Sequence, residues 1–146
     1  MLSKHEILYV ENDIDFGEVI SALSEFDHFD FRMVRTSDEA KVCLSEADFD
    51  ILIIESKSRK ISGIELLKWC RLRGKHLPVI MLTNTKTLPK LEEEALQDCC
   101  TSILVKPFSF DNLVSAMEAA LARRHDFECK GQIYQPGKIA PLGAFP

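Results

Sequence analysis

The sequence predicts an α/β domain in which a parallel sheet carries helices on each side. Three observations lead to this. Apolar runs alternate with helical periodicity five times. Two of those runs, "DILIIE" and "LPVIML", are apolar almost throughout, as strands covered on both faces are. The chain has 146 residues, 46% apolar and 28% charged, which suits one ordinary domain with room for a core.

The elements follow in order. "EILYV" (6–10) is the first strand, and Phe16, Val19, Ile20 and Leu23 mark the first helix by their i, i+3, i+4, i+7 spacing. "DFRMVR" (30–35) is the second strand. Ser37 opens the second helix, whose apolar face is Ala40, Cys43, Leu44 and Ala47. "DILIIE" (50–55) is the third strand, and Ser62 opens a helix that ends at Gly74. "LPVIML" (77–82) is the fourth strand, with Pro89 in the first turn of the next helix. "TSILV" (101–105) is the fifth. Ser109, with Asn112 three residues on, opens a last helix marked by Phe110, Leu113, Val114, Met117 and Leu121. Serine oxygens accept from the orphan N–H groups of a first turn, proline fits there, and glycine suits a helix end.

Residues 1–124 therefore read as one domain. Residues 125–146 hold three prolines, three glycines and no helical period. They read as a tail, a linker or the start of an effector domain. Their apolar residues Phe127, Ile133, Tyr134, Ile139, Leu142 and Phe145 are expected to pack on this chain or a neighbour.

A net charge of −5 disfavours direct nucleic-acid binding, which favours a basic face. No apolar run approaches the roughly 20 residues a membrane helix needs, and the N-terminus lacks a secretory pattern. A cytoplasmic protein is expected. Cys43, Cys70, Cys99, Cys100 and Cys129 are odd in number and form no CxxC, so they read as small buried thiols. His5, His28, His76 and His125 show no triad or metal spacing.

In an open parallel sheet, ligands bind beyond the carboxyl ends of the strands. There the first strand delivers Glu11, Asn12 and Asp13, and the third delivers Glu55. The fourth delivers Thr83 and Asn84, and the fifth Lys106, followed by Pro107 and Phe108. Such an oxygen-rich group suits a hard cation such as Mg²⁺, with lysine and threonine left for anionic oxygens.

In order and spacing, "ILYVEND", "DILIIE", "SGIELL", "LPVIMLTN" and "LVKPFSFDNL" resemble the motifs of a response-regulator receiver domain, the phospho-acceptor module of two-component signalling. Gly63 lies where that family usually has a glycine. The resemblance implies a flavodoxin-like, doubly wound, five-stranded parallel sheet of order 2-1-3-4-5, and a cis Lys106–Pro107 bond. It makes Glu55 the equivalent of the phospho-acceptor Asp. Glu11 and Asn12 take the place of the metal-holding acids, with the Lys57 carbonyl as third ligand. Thr83, Ile103 and Lys106 take the switch and phosphoryl-contact positions. Four residues depart from the pattern: Glu55 for Asp, Asn12 for an acid, Ile103 for Tyr or Phe, and Asn84 for a small residue.

The departures have consequences. One more methylene moves the nucleophilic oxygen by about 1.5 Å, and a misplacement near 1 Å already costs on the order of a hundredfold in rate. Asn12 weakens a Mg²⁺ site, so no cofactor is expected. Glu55 instead reaches toward Lys106, and an ion pair between them is expected. The reading is a non-enzymatic, phosphorylation-independent receiver that acts on a protein partner or a C-terminal effector domain. Two alternatives stay open: a conventional Mg²⁺-dependent receiver, and a nucleotide- or flavin-binding flavodoxin-like protein. Against the latter, "VENDIDFGE" lacks a glycine-rich phosphate cradle. Two surface readings complete the set. Lys57, Arg59 and Lys60 form either a solvated loop or a docking patch for an acidic partner. Glu92, Glu93 and Glu94, with Arg123 and Arg124, suggest a homodimer through the fourth helix, fifth strand and fifth helix.

Overall fold

A computed structural model describes residues 4–12, 28–95, 98, 101–123 and 133–134. Five strands form the body of one parallel sheet: β1 (His5–Val10), β2 (Phe29–Val34), β3 (Ile51–Glu55), β6 (Val79–Thr83) and β7 (Thr101–Val105). They lie in the order β2-β1-β3-β6-β7, which is the flavodoxin-like arrangement. Two short strands, β4 (Lys57–Ser58) and β5 (Ile61–Ser62), make a separate antiparallel hairpin, and β8 (Ile133–Tyr134) adds to the β7 edge. The described helices are α1 (Ser37–Glu46), α2 (Gly63–Leu72), α3 (Leu88–Ala95) and α4 (Phe110–Arg123). The first helix expected from the sequence, Asp13, Cys99, Cys100, Cys129 and most of the tail lie outside the described residues.

Strands β3, β6 and β7 are buried along their whole length, and alternate residues feed two cores. On one face Leu8, Leu52, Ile54, Met81 and Ile103 meet Ala40, Cys43 and Leu44 of α1, Leu66, Leu67 and Cys70 of α2, and Leu88 and Leu91 of α3. On the other, Ile7, Tyr9, Ile53, Ile80 and Leu104 meet Leu113, Ala116, Met117 and Ala120 of α4. Each buried Leu or Ile contributes about 1.5–3 kcal/mol of transfer free energy. This two-sided burial is why these strands carry no alternation of polar and apolar residues.

The caps mostly follow the expected serines. Ser62 Oγ accepts from the Glu65 N–H at 3.4 Å, and Ser109 Oγ accepts from the Asn112 N–H at 3.1 Å. Gly74 has φ 72 just past the end of α2, where a side chain would be strained. The start of α1 differs. Its cap is Thr36, whose Oγ1 accepts from the Glu39 N–H at 3.1 Å. Ser37 is the first helical residue, and its Oγ accepts from the Ser62 N–H at 3.0 Å. The hydroxyl one residue earlier has the extended backbone that capping needs. Ala47 is the exposed C-cap of α1, outside its apolar face.

Candidate functional site

The strand tips are fixed laterally by backbone bonds. The Glu11 N–H donates to the Val34 carbonyl at 3.1 Å, the Ser56 N–H to Leu82 at 2.8 Å, and the Lys106 N–H to Thr83 at 2.7 Å. These bonds carry β1, β3, β6 and β7 to a common rim and bring Glu11, Glu55, Thr83 and Lys106 together there. Glu11 and Glu55 are 3% and 7% exposed, a depth at which an unpaired carboxylate would be costly. Lys106 Nζ resolves this. It sits 3.2 Å from Glu11 Oε2 and pairs with Glu55 Oε1. Thr83 is buried beside them, and its Oγ1 accepts from Ser56 Oγ at 3.2 Å. Ser56 is a rim residue that sequence reasoning missed. Its only signal was its place directly after Glu55.

Asn12 belongs to the same rim but faces the hairpin. Its Nδ2 donates to the Arg59 carbonyl at 2.8 Å, and its backbone N–H donates to Glu11 Oε1 at 3.1 Å. Further bonds hold the hairpin: the Ser37 N–H donates to Lys60 O at 3.0 Å, and the Gly63 N–H to Ser56 O at 2.9 Å. Lys60 makes the turn with φ 63. Lys57, Arg59 and Lys60 all point to solvent. Gly63 is required by contact. A Cβ there would stand 2.8 Å from the Glu55 carbonyl oxygen, so any side chain would push on the strand that carries the acid.

The other sequence-predicted positions divide. The Lys106–Pro107 bond is cis. Ile103 is fully buried in the core shared with α1, α2 and α3, and so is a packing residue. Asn84 is exposed, and its side chain works locally: Oδ1 accepts from the Thr87 N–H at 2.8 Å and from Thr87 Oγ1 at 2.6 Å. It braces the turn into α3. Glu93 and Glu94 are exposed on α3. The side chains of Glu92 and Arg123, and Arg124 itself, lie outside the described residues. Cys43 and Cys70 are free and buried. Burial pushes the Cys70 thiol up from its ordinary value, against the lowering influence of Arg71, Lys75 and Arg73. No helix among the described residues is long and apolar enough to cross a membrane.

A doubly wound parallel sheet with acids, a hydroxyl and a lysine gathered at its carboxyl rim defines a class of signalling module. Residues 7–118 match the response regulator receiver domain, and the chain belongs to that family. It is 25% identical over 141 residues to the transcriptional regulatory protein ZraR of Escherichia coli, covering 97% of this chain and 32% of the relative. It is 28% identical to the swarming motility regulation protein RssB of Serratia marcescens, covering 83% of this chain and 55% of that one. It is 32% identical to the CpxR homolog of Haemophilus influenzae, covering 81% and 51% respectively. The chain thus spans from just under a third to just over half of the length of these curated relatives. Among solved structures it is similar to the chemotaxis response regulator CheY4 of Vibrio cholerae, with 25% identity and a TM-score of 0.72 over 82% of this chain and all of that one. A response regulator from Chloroflexus aurantiacus gives 25% identity and a TM-score of 0.73, over 83% of this chain and all of that one. The protein is therefore a receiver domain of two-component signalling.

Proposed function

We propose that this receiver works as an interaction module without ordinary phosphorylation, with the Glu55–Lys106 pair standing in for the contact a phosphoryl group makes. The observation that supports it is the ammonium of Lys106 bridging Glu11 and Glu55. That bridge occupies the carboxylate at the acceptor position with a resident cation. Glu55 supplies about one negative charge there, against nearly two for a phosphorylated side chain, so the mimicry is partial.

The residues present fit Mg²⁺ poorly. Mg²⁺ demands near-ideal octahedral oxygen geometry. Here both buried acids already have an oxygen on Lys106, and Asn12, whose Nδ2 is held by the Arg59 carbonyl, has only a neutral amide oxygen to offer where an acid would bring a charge. On this reading the domain has no catalytic role and needs no metal. Its output is a surface read by a protein partner or by an effector domain. The similarity to transcriptional regulators supports the second.

The test is incubation with a small acyl phosphate and Mg²⁺, followed by intact mass. The parent chain is expected to gain no phosphoryl group, and Glu55→Asp to gain one. A phosphorylated parent species that disappears in Glu55→Gln would overturn the reading in favour of a conventional receiver.

A further inference from the structure

Three cations crowd the short hairpin beside the rim. Lys57, Arg59 and Lys60 are all exposed, in a chain whose net charge is −5. The acids around them answer other groups. Glu11 and Glu55 are held by Lys106. Glu39 Oε2 accepts from the Arg35 N–H at 3.1 Å. Asp38 and Glu65 lie in the first turns of α1 and α2, where they complement the positive helix ends. Among the described residues no acid forms an ion pair with Lys57, Arg59 or Lys60.

The loop that carries these cations is fixed. Asn12 Nδ2 and the Ser37 N–H donate to the carbonyls of Arg59 and Lys60 at 2.8 and 3.0 Å. The two turn residues are thereby tied to the tip of β1 and to the start of α1. The Ser62 N–H donates to Ser37 Oγ at 3.0 Å, and the Gly63 N–H to Ser56 O at 2.9 Å. Ile61, only 3% exposed, is anchored in the core with Val34 and Leu66. Lys60 has φ 63, a backbone that glycine adopts without strain. A lysine there keeps a cation at the turn.

We propose that the hairpin over residues 57–62 is a preformed docking site for an acidic segment of a partner protein, with Asn12 as a residue that positions it. The carboxylates of that segment meet Lys57, Arg59 and Lys60. The loop backbone is already ordered, so binding forfeits little further freedom. Three cations on a negatively charged chain do not make the extended basic face that a nucleic acid favours. Asparagine suits the positioning role because its amide donates to the Arg59 carbonyl, which an ionised aspartate does not do. The proposal rests on the reading of the domain as an interaction module, and it holds whether or not Glu55 accepts a phosphoryl group.

The experiment uses the full chain and a fluorophore-labelled peptide of alternating glutamate and serine, read by anisotropy without phosphodonor or Mg²⁺. Failure of phosphorylation independence, read by mass, is thus separate from failure of docking. Saturable binding that weakens with added salt is expected. Lys57→Ala, Arg59→Ala and Lys60→Ala are each expected to weaken it about threefold, and the triple variant to abolish it. Asn12→Ala leaves the net charge unchanged and is expected to weaken binding about twofold, by loosening the loop. Lys90→Ala removes an exposed cation elsewhere and is expected to match the parent. The proposal is overturned by absence of saturable binding, by an equal loss in Lys90→Ala, by an unchanged affinity in Asn12→Ala, or by equally tight binding of a thymidine oligonucleotide.

Discussion

Lys106 and Arg71 are both partly buried cations that tie distant segments together, and they are built in opposite ways. Arg71 gives Nε and Nη2 to the two carboxylate oxygens of Asp98 at 2.7 and 2.9 Å. Its Nη1 donates to the carbonyls of Lys75 and Leu77 at 2.8 and 3.0 Å. One rigid fork thus meets one acid and two fixed carbonyls, and the charge is matched. Lys106 is a point charge on a flexible stem shared between two buried acids, which leaves a formal excess of one negative charge among the three. A matched, four-bonded guanidinium is what a permanent clasp needs. A single ammonium between two carboxylates is a poorer clasp and a better sensor, because small changes at either acid redistribute it.

The comparison can be broken most forcefully at Lys106. Lys106→Met leaves Glu11 and Glu55 facing each other without the cation, and is expected to cost about 3–5 kcal/mol in urea unfolding at neutral pH. Adding Glu55→Gln is expected to recover a large part of that loss, because the double variant removes the repulsion as well as the bond. A double variant no more stable than Lys106→Met would show that the two acids do not compete for one cation. Arg71→Ala is expected to cost about 3 kcal/mol in the same measurement. Here neutralising the partner as well, with Asp98→Asn, should recover little, since the carbonyl bonds to Lys75 and Leu77 are lost either way. The smallest effect lies beside Arg71. Burial holds the Cys70 thiol in its neutral form. Its folded-state pKa is raised, so its stabilising contribution is complete below the unfolded value of 9.0 and is lost as the pH rises through the folded value. The parent is therefore expected to lose more stability than Cys70→Ala in urea titrations above that pH.

The fold was readable because its main elements are written in long-period patterns. Continuous apolar runs give β3, β6 and β7, and the spacing of Ala40, Cys43 and Leu44 gives α1. The rim was readable as a set, since Glu55 and Thr83 end their strands and Glu11 and Lys106 directly follow theirs. What the sequence hid are contacts that depend on two distant segments at once. Nothing local says that Thr36 rather than Ser37 caps α1, because Ser37 is drawn off by Ser62. Nothing local marks Asn84 as the brace of its own turn rather than a pocket residue. The hairpin of β4 and β5 and the tail strand β8 are two residues long on each side, too short for any period to appear.

The bond from Asn12 to the Arg59 carbonyl sets what an acid at position 12 would disturb. Aspartate at position 12 would return an anion to the rim but has no N–H to give. The loop over residues 57–62 would then lose one of its tethers, keeping those from Ser37 and Gly63. An acid at position 12 would therefore trade a loop contact for a rim charge, whereas Glu55→Asp leaves that contact in place.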